Sequence, residues 1–191
     1  MPNYDQSVER IRLKAEQGDA EAQNDLGVMY ANGESVGQDD KQAAFWFRKA
    51  AEQGYAKAQL ILGLMYSEGQ GGLARDYKQA VSLFRKAAEQ GLAMAQYNLG
   101  VMYARGEGVE QDDEQAVIWY RKAAEQGEAI AQNNLGAMYA NGEGVGQDDK
   151  QAALWYRKAA EQGLPTAQNN LGAMYIRGEG VVQDDKQAAE W

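Results

Sequence analysis

Along residues 131–142 the apolar positions Ala131, Leu135, Met138 and Tyr139 fall at i, i+4, i+7 and i+8, with polar residues between them. That spacing puts them on one face of a helix. Gly142 follows the last periodic residue, where a left-handed C-terminal cap is expected. The polar stretch EGVGQDDK then carries Val145 as the apolar peg of a turn. In DKQAALWYRKAAEQG the residues Ala152, Trp155, Tyr156, Ala159 and Ala160 return to helical spacing, and Gly163 stops the run. The pattern predicts two helices, each with one apolar stripe, joined by a glycine-bearing turn.

The pattern occurs five times. A block opening with Ala-Gln recurs at Ala22, Ala58, Ala95, Ala131 and Ala167, with spacings of 36, 37, 36 and 36 residues. One helix pair cannot bury its apolar face alone, so units of this period stack into a solenoid. An Asp three residues before a Gln opens each second helix, at Asp39/Gln42, Asp76/Gln79, Asp112/Gln115, Asp148/Gln151 and Asp184/Gln187. This predicts a capping box, in which Asp accepts from free backbone N–H groups and Gln reaches back to the N–H of the Asp. Gly27, Gly63, Gly100, Gly136 and Gly172 stand inside the first helices. A mid-helix glycine costs about 1 kcal/mol against alanine. Five in register predict a close helix–helix approach that a Cβ would block. Two columns of large groups are expected to fill the remaining layers: Tyr30, Tyr66, Tyr103, Tyr139, Tyr175, and Trp46, Leu83, Trp119, Trp155, Trp191.

Composition narrows the chemistry. The 191 residues include no His and no Cys, four Ser and one Thr. Neither a Ser–His nor a Cys–His nucleophile pair can be assembled, nor a metal centre built on His or thiolate. No catalytic residue, metal site or cofactor is expected. The lack of disulfides leaves the compartment open. A net charge of −9, with no run of Lys or Arg, argues against nucleic acid and anionic lipid as partners. No stretch approaches the roughly 20 apolar residues of a membrane span. MPNYDQSVER does not read as a signal peptide. Localisation stays open between the cytoplasm and export to the periplasm or medium, with a leader not present in this chain.

The pattern A-x-x-x-L-G-x-M-Y-x-x-G-x-G-V-x-x-D, followed by A-x-x-W-Y/F-R-K-A-A-E-Q-G, resembles the Sel-1-like repeat family, a relative of the tetratricopeptide repeats. The resemblance covers residues 20–191, and KAEQG at Lys14–Gly18 resembles the end of a further repeat. It implies an all-α fold: an α/α right-handed superhelical solenoid of antiparallel helix pairs, with the first helices lining the concave side. It also implies a protein–protein interaction adaptor or scaffold, of a kind common in bacteria. One domain over residues 1–191 is expected, with an N-terminal helix at 4–18 carrying Val8, Ile11 and Leu13 and an incomplete fifth repeat. The second repeat departs from the pattern. Its turn, EGQGGLARD from Glu68 to Asp76, is one residue longer and is expected to protrude or change local curvature; its Leu83 stands where the others have Trp. The last repeat stops at Trp191 without a capping Gly, as expected of a fragment of a longer array or of an end that packs on another copy.

Three columns of the first helices carry candidate binding residues. One reads Asn24, Leu60, Tyr97, Asn133, Asn169; the next Asp25, Ile61, Asn98, Asn134, Asn170; the third Asn32, Glu68, Arg105, Asn141, Arg177. Asparagine is a mediocre helix former, and its amide both donates and accepts. Asn98, Asn134 and Asn170, with Asn133 and Asn169 beside them, are therefore candidates to read the main chain of an extended peptide. Arg105 and Arg177 would pair with its carboxylates. Alternatively, the amides bond to neighbouring turns and hold the repeats in register. Leu60, Ile61, Leu64 and Tyr97 form an apolar candidate patch, whose alternative is tighter packing where the second repeat lacks its Trp. Asp pairs such as Asp148/Asp149 lack the alternating oxygen ligands of a calcium loop and read as caps. G-x-G pairs such as Gly106/Gly108 follow a helix rather than a strand and read as turn glycines.

The expected function is a non-catalytic scaffold whose concave face binds a protein or peptide segment. By charge the partner is basic, and salt should weaken the attraction. Two other classes stay open. A carboxylate-based hydrolase of a cell-wall polysaccharide needs two acids about 5–10 Å apart across a cleft; the acids here repeat in turns and caps. A self-stacking structural module would self-associate through the open C-terminal end.

Overall fold

In a computed structural model that describes residues 3–191, those residues form eleven helices and no strand. The helices are α1 (Asn3–Glu16), α2 (Ala20–Asn32), α3 (Asp40–Glu52), α4 (Ala56–Glu68), α5 (Tyr77–Glu89), α6 (Ala93–Arg105), α7 (Asp113–Glu125), α8 (Ala129–Asn141), α9 (Asp149–Glu161), α10 (Pro165–Arg177) and α11 (Asp185–Glu190). The chain divides after Ala95, within α6, into two compact units. In the first unit α1 packs on α2, α2 on α3, α3 on α4 and α4 on α5. In the second unit the same neighbour-to-neighbour packing runs from α7 to α11. The fold class read from the periodicity is the one found: helix pairs in tandem.

The caps form as the sequence predicts, but the box does not close. Asp39, Asp76, Asp148 and Asp184 each accept from two backbone N–H groups at 3.0–3.1 Å. The N–H of the capping Asp does not go to Gln. Asp39 donates it to the Tyr30 carbonyl and Asp148 to the Tyr139 carbonyl, both at 2.9 Å. The start of each second helix is thereby tied to the end of the first, which sets the pair antiparallel.

The mid-helix glycines are there for space. A Cβ on Gly63 would lie 2.6 Å from a ring carbon of Phe84, and one on Gly136 would lie 2.8 Å from the Tyr156 ring. In the first four repeats the first helix therefore rests against an aromatic ring of its partner; in the fifth, Gly172 faces the Ala188 carbonyl. That ring is the residue after the Trp column: Phe47 and Phe84 are fully buried; of the column itself, Trp46 and Trp119 are half-buried and Trp155 is buried in the core with Leu135 and Met138. Lysines lie over two of the Trp rings, with Lys122 Nζ and Lys158 Nζ each 4.2 Å from the centroids of Trp119 and Trp155 respectively.

The longer second turn is absorbed locally. Gly71 and Gly72 both take positive φ, and the Leu73 N–H donates to the Gln70 carbonyl at 3.0 Å. Leu73 packs on the core of Phe47, Leu62 and Met65. The Asp76 N–H still reaches the Tyr66 carbonyl at 2.9 Å, as its counterparts do. At the N-terminus, α1 ends as a second helix ends: the Gln23 side chain donates to the Ala15 carbonyl at 3.0 Å. Ile11 packs there, but Leu13 is 54% exposed and not part of the seam.

Ser35 has φ +65°, in the left-handed region where Gly144 and Gly180 stand in later repeats at +64° and +67°. At those two glycines a Cβ would run into the backbone carbonyls of Asp113 and Asp149 on the preceding second helix. Ser35 is exposed, so a side chain fits but the backbone is strained. Ser35→Gly is expected to stabilise the first unit by about 0.5–1 kcal/mol, relief of strain outweighing the added freedom of the unfolded chain. Urea unfolding at fixed m checks it.

Candidate functional site

Neighbouring first helices leave a groove over the second helix that lies between them, and the groove recurs in the same register. Its floor is built by an aromatic residue of that second helix and by one residue of the following first helix. In the first unit these are Phe47 and Ile61, in a groove of about 550 Å³ also lined by Val28, Met65 and Asp40. In the second unit they are Tyr120 and Asn134, in a groove of about 350 Å³ with Asp113 and Glu143. Tyr156 and Asn170 form the next, about 310 Å³, with Asp149, Arg177 and Glu179. In these three grooves each tyrosine meets an amide of the facing helix, and Phe47 meets an isoleucine.

The polar pairs are engaged differently. Asn134 hydrogen-bonds the Tyr120 phenol. Burial pushes the Tyr120 pKa up to about 12, with the Asn134 bond pulling the other way. Asn170 Nδ2 donates to Asn133 Oδ1 at 3.1 Å, and Asn133 Nδ2 lies 3.5 Å from Asn134 Oδ1, so three candidate amides are chained across one repeat boundary. Asn169 is exposed and Asn98 half-buried. Arg105 is exposed, its charge close enough to Tyr97 and Tyr120 to oppose the upward shift of both phenols. Arg177 Nη1 pairs with Glu179 Oε2 at 3.2 Å.

The apolar candidates fall in different units. Ile61 lines the first-unit groove, and Leu60 and Leu64 are half-buried beside it on α4. Tyr97 belongs to the second unit, where its ring stands 6.0 Å from that of Tyr120 at 32°.

One column was overlooked among the candidates: the glutamine of the Ala-Gln landmark. Gln59 is buried; its Nε2 donates to the Ala51 carbonyl of the preceding repeat at 3.2 Å, and its Oε1 accepts from Gln90 of its own repeat at 2.9 Å. Gln132 does the same with the Ala124 carbonyl at 3.0 Å and Gln162 at 2.8 Å. The signal was its presence at all five repeat starts. A second tie joins Arg121 Nη2 to the Tyr139 hydroxyl and Arg157 Nη2 to the Tyr175 hydroxyl, both at 2.7 Å.

Among the described residues no cluster of acidic side chains has the geometry of a metal site, and no helix is long and apolar enough to cross a membrane.

The Sel1 repeat pattern matches the chain at residues 20–55, 56–92, 93–128, 129–164 and 165–191. Similar solved structures are bacterial. A protective antigen of uropathogenic Escherichia coli with an SLR fold is 48% identical, with a TM-score of 0.93 over 96% of this chain and 39% of that one. This chain therefore spans well under half of the antigen's length. A Sel1 repeat protein from Oxalobacter formigenes is 37% identical, with a TM-score of 0.91 over 98% of this chain and 77% of that one. Cysteine rich protein B of Helicobacter pylori is 25% identical, with a TM-score of 0.54 over 68% of this chain and 92% of that one. None of the curated proteins matches the chain.

Proposed function

The chain belongs to the Sel1 repeat family, whose fold is commonly a protein-interaction scaffold, and from that premise we propose that it is a non-catalytic module binding an extended segment of another protein along its first helices. Sel1 repeat proteins are generally non-catalytic helical scaffolds. The observation that carries the reading is the recurrent groove, whose floor changes from Phe47/Ile61 to Tyr120/Asn134 and Tyr156/Asn170 while its register is kept. A structural residue copied with its repeat would not need to vary; a side chain that reads a ligand would. In the second unit Asn98, Asn134 and Asn170 contact the bound main chain, flanked by Asn133 and Asn169, and Arg105 and Arg177 answer acidic side chains. In the first unit Ile61, with Leu60 and Leu64 beside it, takes an apolar side chain. The net charge of −9 favours a segment that is basic overall.

The test begins with a peptide array probed with the full chain. For a peptide selected in this way, the combined variant Asn98→Ala, Asn134→Ala, Asn170→Ala is expected to weaken binding about tenfold or more, with the helical circular-dichroism signal unchanged. Equal affinity in wild type and variant would remove the asparagine row from the site.

A further inference from the structure

In the groove between the fourth and fifth repeats, the polar end of an otherwise buried side chain has no partner within the protein. Tyr156 is 6% exposed and lines that groove. Its hydroxyl has no hydrogen-bond partner among the described residues, and burial alone raises its pKa. The equivalent Tyr120 hydroxyl, one repeat earlier, is bonded by Asn134. Here the corresponding amide is occupied elsewhere, since Asn170 Nδ2 donates to Asn133 Oδ1 at 3.1 Å. Asn141, also on the lining, commits Nδ2 to Glu143 Oε1 at 3.3 Å. Both amides thus direct an N–H into the protein and keep their carbonyl oxygens open to a further donor. Asp149 adds a carboxylate without an ion-pair partner, whereas Glu179 is matched by Arg177 at 3.2 Å. The groove is left acceptor-rich and carries one negative charge in excess.

We propose that this groove takes one cationic side chain, a lysine or arginine, of the bound segment, with the Tyr156 hydroxyl and the Asn170 carbonyl oxygen accepting from it and Asp149 balancing its charge. An ammonium or guanidinium offers only donors, and an acceptor-rich lining is what such a group requires. The phenol oxygen, which no described residue engages, faces the groove and is open to such a donor. The aliphatic stem of the side chain lies over Met174 and Ala173 while its head stays polar. The inference rests on the scaffold reading above and names the residue type that one groove selects.

The experiment titrates N-acetyl-argininamide into the 15N-labelled full chain, with N-acetyl-citrullinamide as the neutral isostere. Saturable shifts centred on Asp149, Tyr156 and Asn170 are expected for the arginine probe, with the citrulline probe at least about fivefold weaker. Tyr156→Phe and Asp149→Asn should each weaken the arginine probe about threefold or more. Tyr156→Phe should leave the melting temperature unchanged, because it removes no bond within the protein, and Asp149→Asn should lower it only slightly, because Asp149 lies in the first turn of α9. Equal affinity for the two probes, shifts centred elsewhere, or indifference to both variants would overturn the assignment. A selected peptide whose affinity falls in the combined asparagine variant, but not in Tyr156→Phe or Asp149→Asn, would also overturn it while leaving the scaffold reading in place. An arginine probe that fills the groove while no peptide on the array binds would support the groove and defeat the scaffold reading.

Discussion

Gly63→Val is expected to destabilise the first unit by about 3 kcal/mol, at the upper end of overpacking penalties. The new Cβ alone would sit 2.6 Å from a ring carbon of Phe84, and two methyl groups would follow it. Phe84 cannot give way, because it is fully buried on the seam of α5 with Ala80, Val81 and Ala87. Gly63→Ala is the more telling variant. On an open helical face that change gains about 1 kcal/mol; here it is expected to lose stability. A Gly63→Ala, Phe84→Leu double variant should recover part of the loss, since leucine vacates the ring edge, and the cycle would show the two sites coupled. Chemical denaturation of the four proteins decides it. A gain in Gly63→Ala alone would mean that the glycine is not there for the ring.

Gln132→Leu is expected to cost the second unit about 1–3 kcal/mol, the range for a buried hydrogen bond lost with its partner left behind. The glutamine joins the end of α7, through the Ala124 carbonyl, to the end of α9, through Gln162. Leucine fills similar space but donates nothing. The Ala124 carbonyl would then lose its side-chain donor and keep the backbone N–H groups of Gln126 and of Gly127, the latter at 3.0 Å. In a repeat array, stability is a sum of unit terms and neighbour terms, and this residue acts on the neighbour term. Unfolding should therefore broaden as well as shift. Gln162→Leu removes the donor to Gln132 Oε1 and spares the tie to the Ala124 carbonyl, so its loss should be the smaller of the two. A sharp, unshifted transition in Gln132→Leu would deny the glutamine its role in coupling.

The helices, the Asp caps, the left-handed glycine stops and the need for space at Gly63 and Gly136 were all legible in the chain. Each depends on local spacing or on a backbone rule that one repeat states completely. What faces what across repeats was not legible. Sequence spacing put Asn134 and Asn170 in one column and Tyr120 and Tyr156 in another, but it could not show that the columns meet on a groove floor. Helical periodicity placed both Trp155 and Tyr156 on the apolar face. It could not tell that Tyr156 lies against Gly136 while Trp155 is covered by Lys158. The glutamine of Ala-Gln was hidden by its own regularity, because a polar residue present in every copy reads as a landmark until its partners are seen. Asn133, expected either to meet a ligand or to hold the register, accepts from Asn170 of the next repeat at 3.1 Å, so at that position the internal tie is present in the free protein.

The bond from the Asp76 amide to the Tyr66 carbonyl spans the one turn that carries an extra residue, yet has the same 2.9 Å length as its counterparts from Asp39 and Asp148. Such a staple uncouples loop length from helix placement: what lies between its two ends can grow while the helices beyond keep their footing. The entropic charge for a longer loop rises only with the logarithm of its length. The stretch from Glu68 to Arg75 is thus the natural berth for grafted sequence, a balcony on the first unit.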